Sequence, residues 1–86
     1  MRHEHIARAF YKRTRNDQPF SVNHFRAFRY NELMKADEVG LFFYSLSREG
    51  LAVKAYPVVA KHEEARGRWV WSWVWTDKAG ARFGGQ

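Results

Sequence analysis

Apolar side chains recur at the spacing of an α-helix in three stretches of the N-terminal half of the chain. The first stretch predicts a helix from about His3 to Arg13, in which Ile6, Ala9 and Phe10 follow the helical repeat together with Arg13. The sequence Asn-Asp-Gln-Pro at 16–19 then ends this helix, because proline disfavours a helical conformation of the residue before it.

A second helix is predicted after a short extended piece at 20–22. Either Ser21 or Asn23 is expected to cap its N-terminus, since short polar side chains accept hydrogen bonds from the free N–H groups of a first turn. Phe25 and Phe28 mark its buried side, and we expect the helix to end near Tyr30.

The third predicted helix has the clearest pattern. It begins near residues 35–37, where acidic side chains suit the positive end of the helix dipole, and it ends at Gly50, since glycine tolerates a left-handed C-terminal conformation. The stripe predicted to be buried consists of Val39, Phe42, Phe43 and Leu46. The opposite side carries Asp37, Leu41, Tyr44 and Arg48, with Ser45 and Ser47 flanking it.

The pattern after the third helix is that of extended chain. Residues 51–60 are rich in valine and alanine, and Pro57 among them indicates an edge strand or a bulge. A polar connection at 61–67 leads to a second strand at 68–76, so the two strands are predicted to form a loose hairpin. Residues 77–86 are predicted to be a flexible C-terminal tail.

Every tryptophan of the chain lies in the second predicted strand, at Trp69, Trp71, Trp73 and Trp75. Their alternation places them on one face, which would carry roughly 800 Å² of mostly apolar surface. A soluble monomer rarely exposes a patch larger than about 300–600 Å², so the protein's own helices or a partner must cover this face. We expect the core to take at least two of the rings, with base stacking or a second chain over the sheet as alternatives.

Size and charge narrow the class of protein. Eighty-six residues make one small domain, and a hydrophobic content of 45% excludes a disordered chain. Because the sequence has no cysteine, the fold uses neither disulfides nor thiolate-bound zinc. Fifteen Lys and Arg residues against nine Asp and Glu give a net charge of +6, which is a weak sign of nucleic-acid binding when taken alone.

Other classes of function find little support. The sequence has no glycine-rich phosphate loop and no nucleophile with a defined base beside it, so we expect no enzyme, cofactor or small-molecule substrate. His3 and His5 would point in different directions at a helix start, so no metal site is expected. The first residues lack the apolar run of a signal peptide, and no apolar stretch approaches the about 20 residues of a membrane span. We therefore expect a cytoplasmic protein without a membrane partner.

The third predicted helix and the start of the first strand have the sequence Asp-Glu-Val-Gly-Leu-Phe-Phe-Tyr-Ser-Leu-Ser-Arg-Glu-Gly-Leu-Ala-Val at 37–53. With three helices ahead of a hairpin, this resembles the winged helix-turn-helix superfamily over about residues 3–76. The resemblance implies an α+β domain at 1–76 with the hairpin as its wing. It also implies that Gly40 allows helices two and three to approach closely, and that Gly50 and Leu51 turn the chain into the hairpin.

The resemblance further implies duplex DNA as the partner, with helix three in the major groove and the wing touching phosphates or the minor groove. The groove-facing positions would then be Asp37, Leu41, Tyr44, Ser45 and Arg48, and the wing would supply Lys61, His62, Arg66 and Arg68. Most of the basic residues lie outside helix three, which favours contacts to the DNA backbone over base reading. The expected phosphate contacts are Lys12, Arg13, Arg15, Arg26, Arg29, Lys61, Arg66 and Arg68.

Two alternatives remain open at this point. The cluster of Lys12, Arg13 and Arg15 is equally well explained as cations that complement the dipole at a helix C-terminus. The whole domain is alternatively a protein-interaction module without DNA binding, in which the face of Leu41 and Tyr44, or the outer face of the sheet, contacts another protein or a second copy of the chain.

Overall fold

The computed structural model describes residues 1–61 and 67–84, and its fold is α+β, as predicted. Three α-helices and a short 3₁₀ helix come first: α1 (Glu4–Thr14), α2 (Val22–Ala27), the 3₁₀ helix (Tyr30–Leu33) and α3 (Ala36–Arg48). The antiparallel strands β1 (Ala52–Val59) and β2 (Trp69–Trp75) follow, and α4 (Asp77–Phe83) comes after them.

The first helix lies within one residue of its predicted bounds, but its buried stripe is shifted. Ile6 and Phe10 are buried as predicted, whereas Ala7 and Thr14 complete the stripe. The prediction that Ala9 and Arg13 continue the apolar repeat is wrong, since Arg13 is exposed. Helical periodicity allows either of two neighbouring stripes, and the packing of later elements selects between them.

The second helix begins as predicted and ends early. Ser21 caps it, because its Oγ atom accepts from the N–H of Asn23 at 3.1 Å and its own N–H donates to Nδ1 of His24 at 3.1 Å. The predicted end near Tyr30 is wrong, since α2 stops at Ala27. Arg29 then adopts a left-handed conformation with φ of 64°, which turns the chain into the separate 3₁₀ helix.

The third helix confirms its predicted stripe. Phe42, Phe43 and Leu46 are buried and Val39 is partly buried. Gly50 has a φ of 72°, and the next N–H, that of Leu51, donates to the carbonyl of Leu46 at 2.8 Å, so the predicted glycine terminus is also confirmed.

The expectation for Gly40 is wrong. A Cβ atom added at Gly40 would meet no other atom within 4 Å, and the residue is exposed. Glycine at this position therefore does not serve a close approach of two helices.

The hairpin is irregular at Pro57, as predicted. The register between the strands shifts between Lys54 and Pro57, which makes a bulge in β1. Ser72 holds the bulged backbone, since its Oγ accepts from the N–H of Tyr56 at 3.2 Å and donates to the carbonyl of Tyr56 at 2.6 Å. In addition, β1 pairs only with β2 within the described residues, so Pro57 also lies on an edge strand.

The second strand has a short partner on its other side. Phe20 and Trp73 exchange two backbone hydrogen bonds, of 2.9 Å and 2.7 Å. The β2 strand therefore lies between Phe20 and β1, and it is fixed to the helical part of the molecule at Trp73.

The core is built from aromatic rings around Phe10. The rings of Phe20 and Phe25 each lie 5.2 Å from that of Phe10 in edge-to-face geometry. Trp73 is 8% exposed and Trp75 packs against the same cluster. The core thus takes two of the four tryptophans, as predicted.

The predicted flexible tail is wrong for residues 77–83, which form α4. Thr76 begins the helix as its N-cap, with its Oγ1 accepting from the N–H of Ala79 at 3.4 Å. Ala79 and Phe83 are fully buried, and the Phe83 ring lies 5.9 Å from that of Tyr11 and 6.3 Å from that of Trp75. The sequence does carry the signals, a threonine cap followed by aspartate and buried positions four residues apart. Residues 85–86 of the predicted tail lie outside the described residues.

Candidate nucleic-acid interface

The outer side of α3 presents the residues that the helical pattern assigned to it. Tyr44 is 60% exposed and Leu41 is 61% exposed, and Asp37 and Arg48 are exposed as well. Tyr44 and Arg48 lie one turn apart and therefore share a face. The hydroxyl of Tyr44 and the guanidinium of Arg48 can each donate hydrogen bonds to a phosphate or a base edge.

Ser45 does not share this presentation. Its Oγ donates to the carbonyl of Leu41 within the helix at 2.9 Å, and the residue is partly buried. It lines a shallow pocket with the N-terminal residues Met1, Arg2 and His3. This edge of α3 is therefore covered by the start of the chain, which the sequence pattern did not show.

The basic cluster at the end of α1 lies apart from α3. His3, at the start of α1, is 3.4 Å from Glu38 of α3, whereas the C-terminal cations are about 16 Å further along the helix. The guanidinium of Arg13 lies 4.8 Å from the centre of the Phe28 ring, and Lys12 and Arg15 are exposed. The structure thus does not bring this cluster to the outer side of α3.

Arg26 on α2 and Arg29 in the turn after it differ in their surroundings. Arg29 donates to Glu32 at 3.0 Å, and this hydrogen bond raises the pKa of the guanidinium. A phosphate at Arg29 would have to compete with that carboxylate. Arg26 is partly buried and lines a groove that its helix shares with α3 and β2.

The base of the hairpin loop is held on α2 by one side chain. Asn23 accepts from the N–H of Lys61 at 2.8 Å and donates to the carbonyl of Val59 at 3.0 Å. The Lys61 side chain is exposed there, and Arg68 is exposed just before the returning strand. The other predicted wing residues, His62 and Arg66, lie outside the described residues.

A groove of about 660 Å³ separates α3 from β2. Its apolar walls are Val22, Val39, Phe43, Val70, Trp71 and Trp73. Among the described residues, the charged side chains that line it are Arg26 and Arg68 and none is acidic. Gly40 lies on the wall of this groove, where an added Cβ atom would have open space.

From Trp73 to the loop end of β2, the exposure of the tryptophans rises. Trp73 is 8% exposed, Trp71 is 43% exposed and Trp69 is 67% exposed. The ammonium of Lys54 lies 4.9 Å from the centre of the Trp71 ring, a cation–π contact that sequence reasoning missed. The register pairs Lys54 with Trp73, and the Lys54 ammonium lies 6.0 Å from the centre of that ring as well.

Several carboxylates lie at the contacts of α1 with α3 and α4. Arg82 donates to both Glu4 and Glu49, and its hydrogen bond lowers the pKa of the Glu4 carboxyl. Glu38 accepts from the N–H of Lys35 at 3.0 Å, which lowers the pKa of that carboxyl. These acids hold their own cations close, so this region offers a phosphate little net attraction.

Other kinds of site are not indicated in the ranges 1–61 and 67–84. No group of three or more His, Asp or Glu side chains there is arranged to hold a metal ion. None of the helices in those ranges has both the length and the apolar character needed to cross a membrane.

The interface that the geometry offers is therefore the side of the molecule formed by α3, the groove and the hairpin. Comparisons with protein-family models, with characterised proteins and with solved structures find no match to this chain.

Proposed function

We propose that this protein is a small winged helix-turn-helix protein that binds duplex DNA through α3 and the hairpin. One observation carries the proposal. The α3 helix and β2 form the two walls of a single groove whose described charged residues, Arg26 and Arg68, are both basic. Tyr44 and Arg48 are exposed on the outer side of the same helix.

The mode of binding follows from which side chains are available. The outer side of α3 begins with Asp37 and offers a single arginine, so base reading is limited. Lys61 and Arg68 are exposed at the loop base, and the loop sequence between them holds Arg66 together with two glutamates. Contacts to phosphates then supply most of the affinity, which falls steeply as salt rises.

The cluster of Lys12, Arg13 and Arg15 has a secondary place in this proposal. It lies at the end of α1 opposite to the contact between His3 and Glu38, and in this proposal it makes no direct contact with the duplex. Its attraction for DNA would be general, through the net charge of the protein.

A salt titration with matched charge reversals tests the proposal. A fluorescein-labelled duplex of 20 base pairs is titrated with protein at 50–300 mM salt and followed by anisotropy. Arg48→Glu and Arg68→Glu are each expected to weaken binding at least tenfold and to reduce the slope of log K against log salt by about one. Arg15→Glu makes the same change in net charge and is expected to weaken binding only a few-fold.

The proposal fails if the wild-type protein does not bind the duplex at 50 mM salt. It fails equally if Arg15→Glu is as damaging as Arg48→Glu and Arg68→Glu, since the duplex would then have no preferred face.

A second candidate function is favoured by one specific observation. Leu41 and Tyr44 are neighbours on α3, and both are more than half exposed. They form an apolar spot that could contact a protein, including a second copy of the chain. Light scattering after gel filtration decides: a dimer that Leu41→Asp converts to a monomer supports this function, and a monomer at all concentrations argues against self-association.

A further inference from the structure

We propose that the loop end of β2 is a binding site for unpaired nucleic-acid bases, which stack on Trp69 and Trp71 while Lys54 and Arg68 contact the phosphates. This site lies on the hairpin and the groove, and it does not need duplex binding by α3. A strand separated from its complement, in DNA or in RNA, is the ligand class.

Neither Trp69 nor Trp71 belongs to the hydrophobic core. The core is complete with Trp73 and Trp75, whereas Trp69 is 67% exposed and Trp71 is 43% exposed. Tryptophan is costly to leave in water, since each ring carries roughly 200 Å² of mostly apolar surface. A ligand with flat apolar faces would cover that surface.

The described charged side chains around the two rings are basic. The Lys54 ammonium is 4.9 Å from the Trp71 ring centre, and Arg68 directly precedes Trp69 in the chain. No described carboxylate forms an ion pair with Lys54 or Arg68. Rings flanked by cations suit a ligand that alternates flat bases with phosphates, which is the chemistry of single-strand binding.

The spacing of the two rings along the strand favours unpaired bases over paired bases. Trp69 and Trp71 are two residues apart on a strand, so their Cα atoms are about 6.8 Å apart. Successive bases in a duplex are about 3.4 Å apart along the axis, and their faces are covered by their neighbours. Only a strand stretched out of that stacking can offer base faces at twice the interval.

The groove beside the rings provides room for such a strand. Its volume of about 660 Å³ lies within the about 300–1,000 Å³ of pockets that bury a drug-sized ligand, so it can hold a nucleoside. Its apolar wall on α3, at Val39 and Phe43, faces Trp71 across the groove. A base inserted there would have apolar contacts on both sides.

The test uses a fluorescein-labelled oligothymidylate of 15 nucleotides, whose bases stack weakly on one another. Binding is expected to quench tryptophan fluorescence. Trp69→Ala and Trp71→Ala are each expected to weaken binding about tenfold, in line with the measured value of base stacking on one aromatic side chain. Trp69→Phe keeps an aromatic ring and is expected to retain affinity within about threefold.

Charge is tested separately, with a control of equal size. Lys54→Gln is expected to reduce the slope of log K against log salt by about 0.7, the value for one phosphate contact to a single strand. Lys78→Gln removes the same charge from α4 and is expected to leave the slope unchanged. Thermal melting of each variant shows whether a loss of binding reflects a loss of folding. Because Lys54 is exposed, we expect Lys54→Gln to leave the protein folded.

Two results would overturn the proposal. One is an oligothymidylate affinity that the double variant Trp69→Ala/Trp71→Ala leaves unchanged. The other is an affinity for a polyglutamate of 15 residues that equals the affinity for the oligothymidylate. Polyglutamate is a polyanion without bases, so equal binding would mean that the site selects negative charge or an acidic peptide. Arg48→Glu distinguishes this site from the duplex site, since it should weaken binding of the duplex and not of the oligothymidylate.

Discussion

The indole N–H of Trp75 donates a hydrogen bond of 2.8 Å to the Oγ1 atom of Thr14. The same hydroxyl donates to the carbonyl of Phe10 at 2.7 Å, so a fully buried polar group is satisfied on both sides. This pair joins the last turn of α1 to the end of β2 across 61 residues of sequence.

Replacing Thr14 with valine keeps the shape and removes the hydroxyl. We expect Thr14→Val to lower the free energy of unfolding by about 1–3 kcal/mol, because the partly buried indole N–H of Trp75 is left unpaired. Urea denaturation measures the loss. In the double variant Thr14→Val/Trp75→Phe the two losses should not add, and simple additivity would mean that the hydrogen bond carries no energy.

Two glycines of the α3 region should respond to alanine in opposite ways. Gly40→Ala is expected to raise the free energy of unfolding by about 1 kcal/mol, since the added Cβ meets open space and alanine is the better helix former. Gly50→Ala is expected to lower it by about 1–2 kcal/mol, because Gly50 has a positive φ. Thermal or urea unfolding of the two variants in parallel checks both signs.

The fourth helix contributes to the core and is not an appendage. Phe83→Ala is expected to lower the free energy of unfolding by about 3–5 kcal/mol, because the ring is fully buried against Tyr11 and Trp75. A loss below about 0.5 kcal/mol in urea denaturation would mean that residues 77–83 do not pack in solution. Lys78→Ala, on the exposed side of the same helix, is the control and should change stability little.

Stability should depend on pH through Glu4. Because Arg82 lowers the pKa of the folded-state carboxyl, Glu4 binds its proton more readily in the unfolded chain. Its contribution is therefore fully present above the ordinary glutamate pKa of about 4.3 and is lost as the pH falls through the lower folded-state value. Urea midpoints measured from pH 6 to pH 3 should fall less steeply for Glu4→Gln than for wild type, and Arg82→Gln should flatten the curve in the same way.

The parts of the fold that sequence predicted well are those that depend on local spacing. The stripe of α3, the cap at Ser21 and the glycine terminus at Gly50 each follow from side chains within a few positions of one another. Likewise, Pro57 predicted an edge strand or a bulge, because a residue without an N–H is tolerated at few positions of a sheet. The buried stripe of α1 was harder to predict, because packing against α4 and Trp75 decides which of two adjacent faces of the helix is buried.

The site was less predictable for the same physical reason. Tyr44 and Arg48 follow from the helical repeat, whereas the distance of Arg15 from α3 depends on how two helices cross. Lys54 is paired with Trp73 in the strand register, and from there its ammonium reaches the Trp71 ring. No pattern within a short window specifies that register when a bulge intervenes.

The bulge in β1 also has a consequence for how the molecule behaves in a crowded solution. The backbone N–H and C=O of Trp73 point toward Phe20, away from β1. Because backbone groups alternate along a strand, those of Trp71 point the same way. Pro57 is paired with Trp71 in the register, so its backbone nitrogen points away from β2, toward the free edge. The free edge of the hairpin thus lacks a donor at its midpoint and is kinked beside it. A growing fibril needs an edge that is straight and fully bonded, so this apolar hairpin carries its own protection against edge-to-edge aggregation.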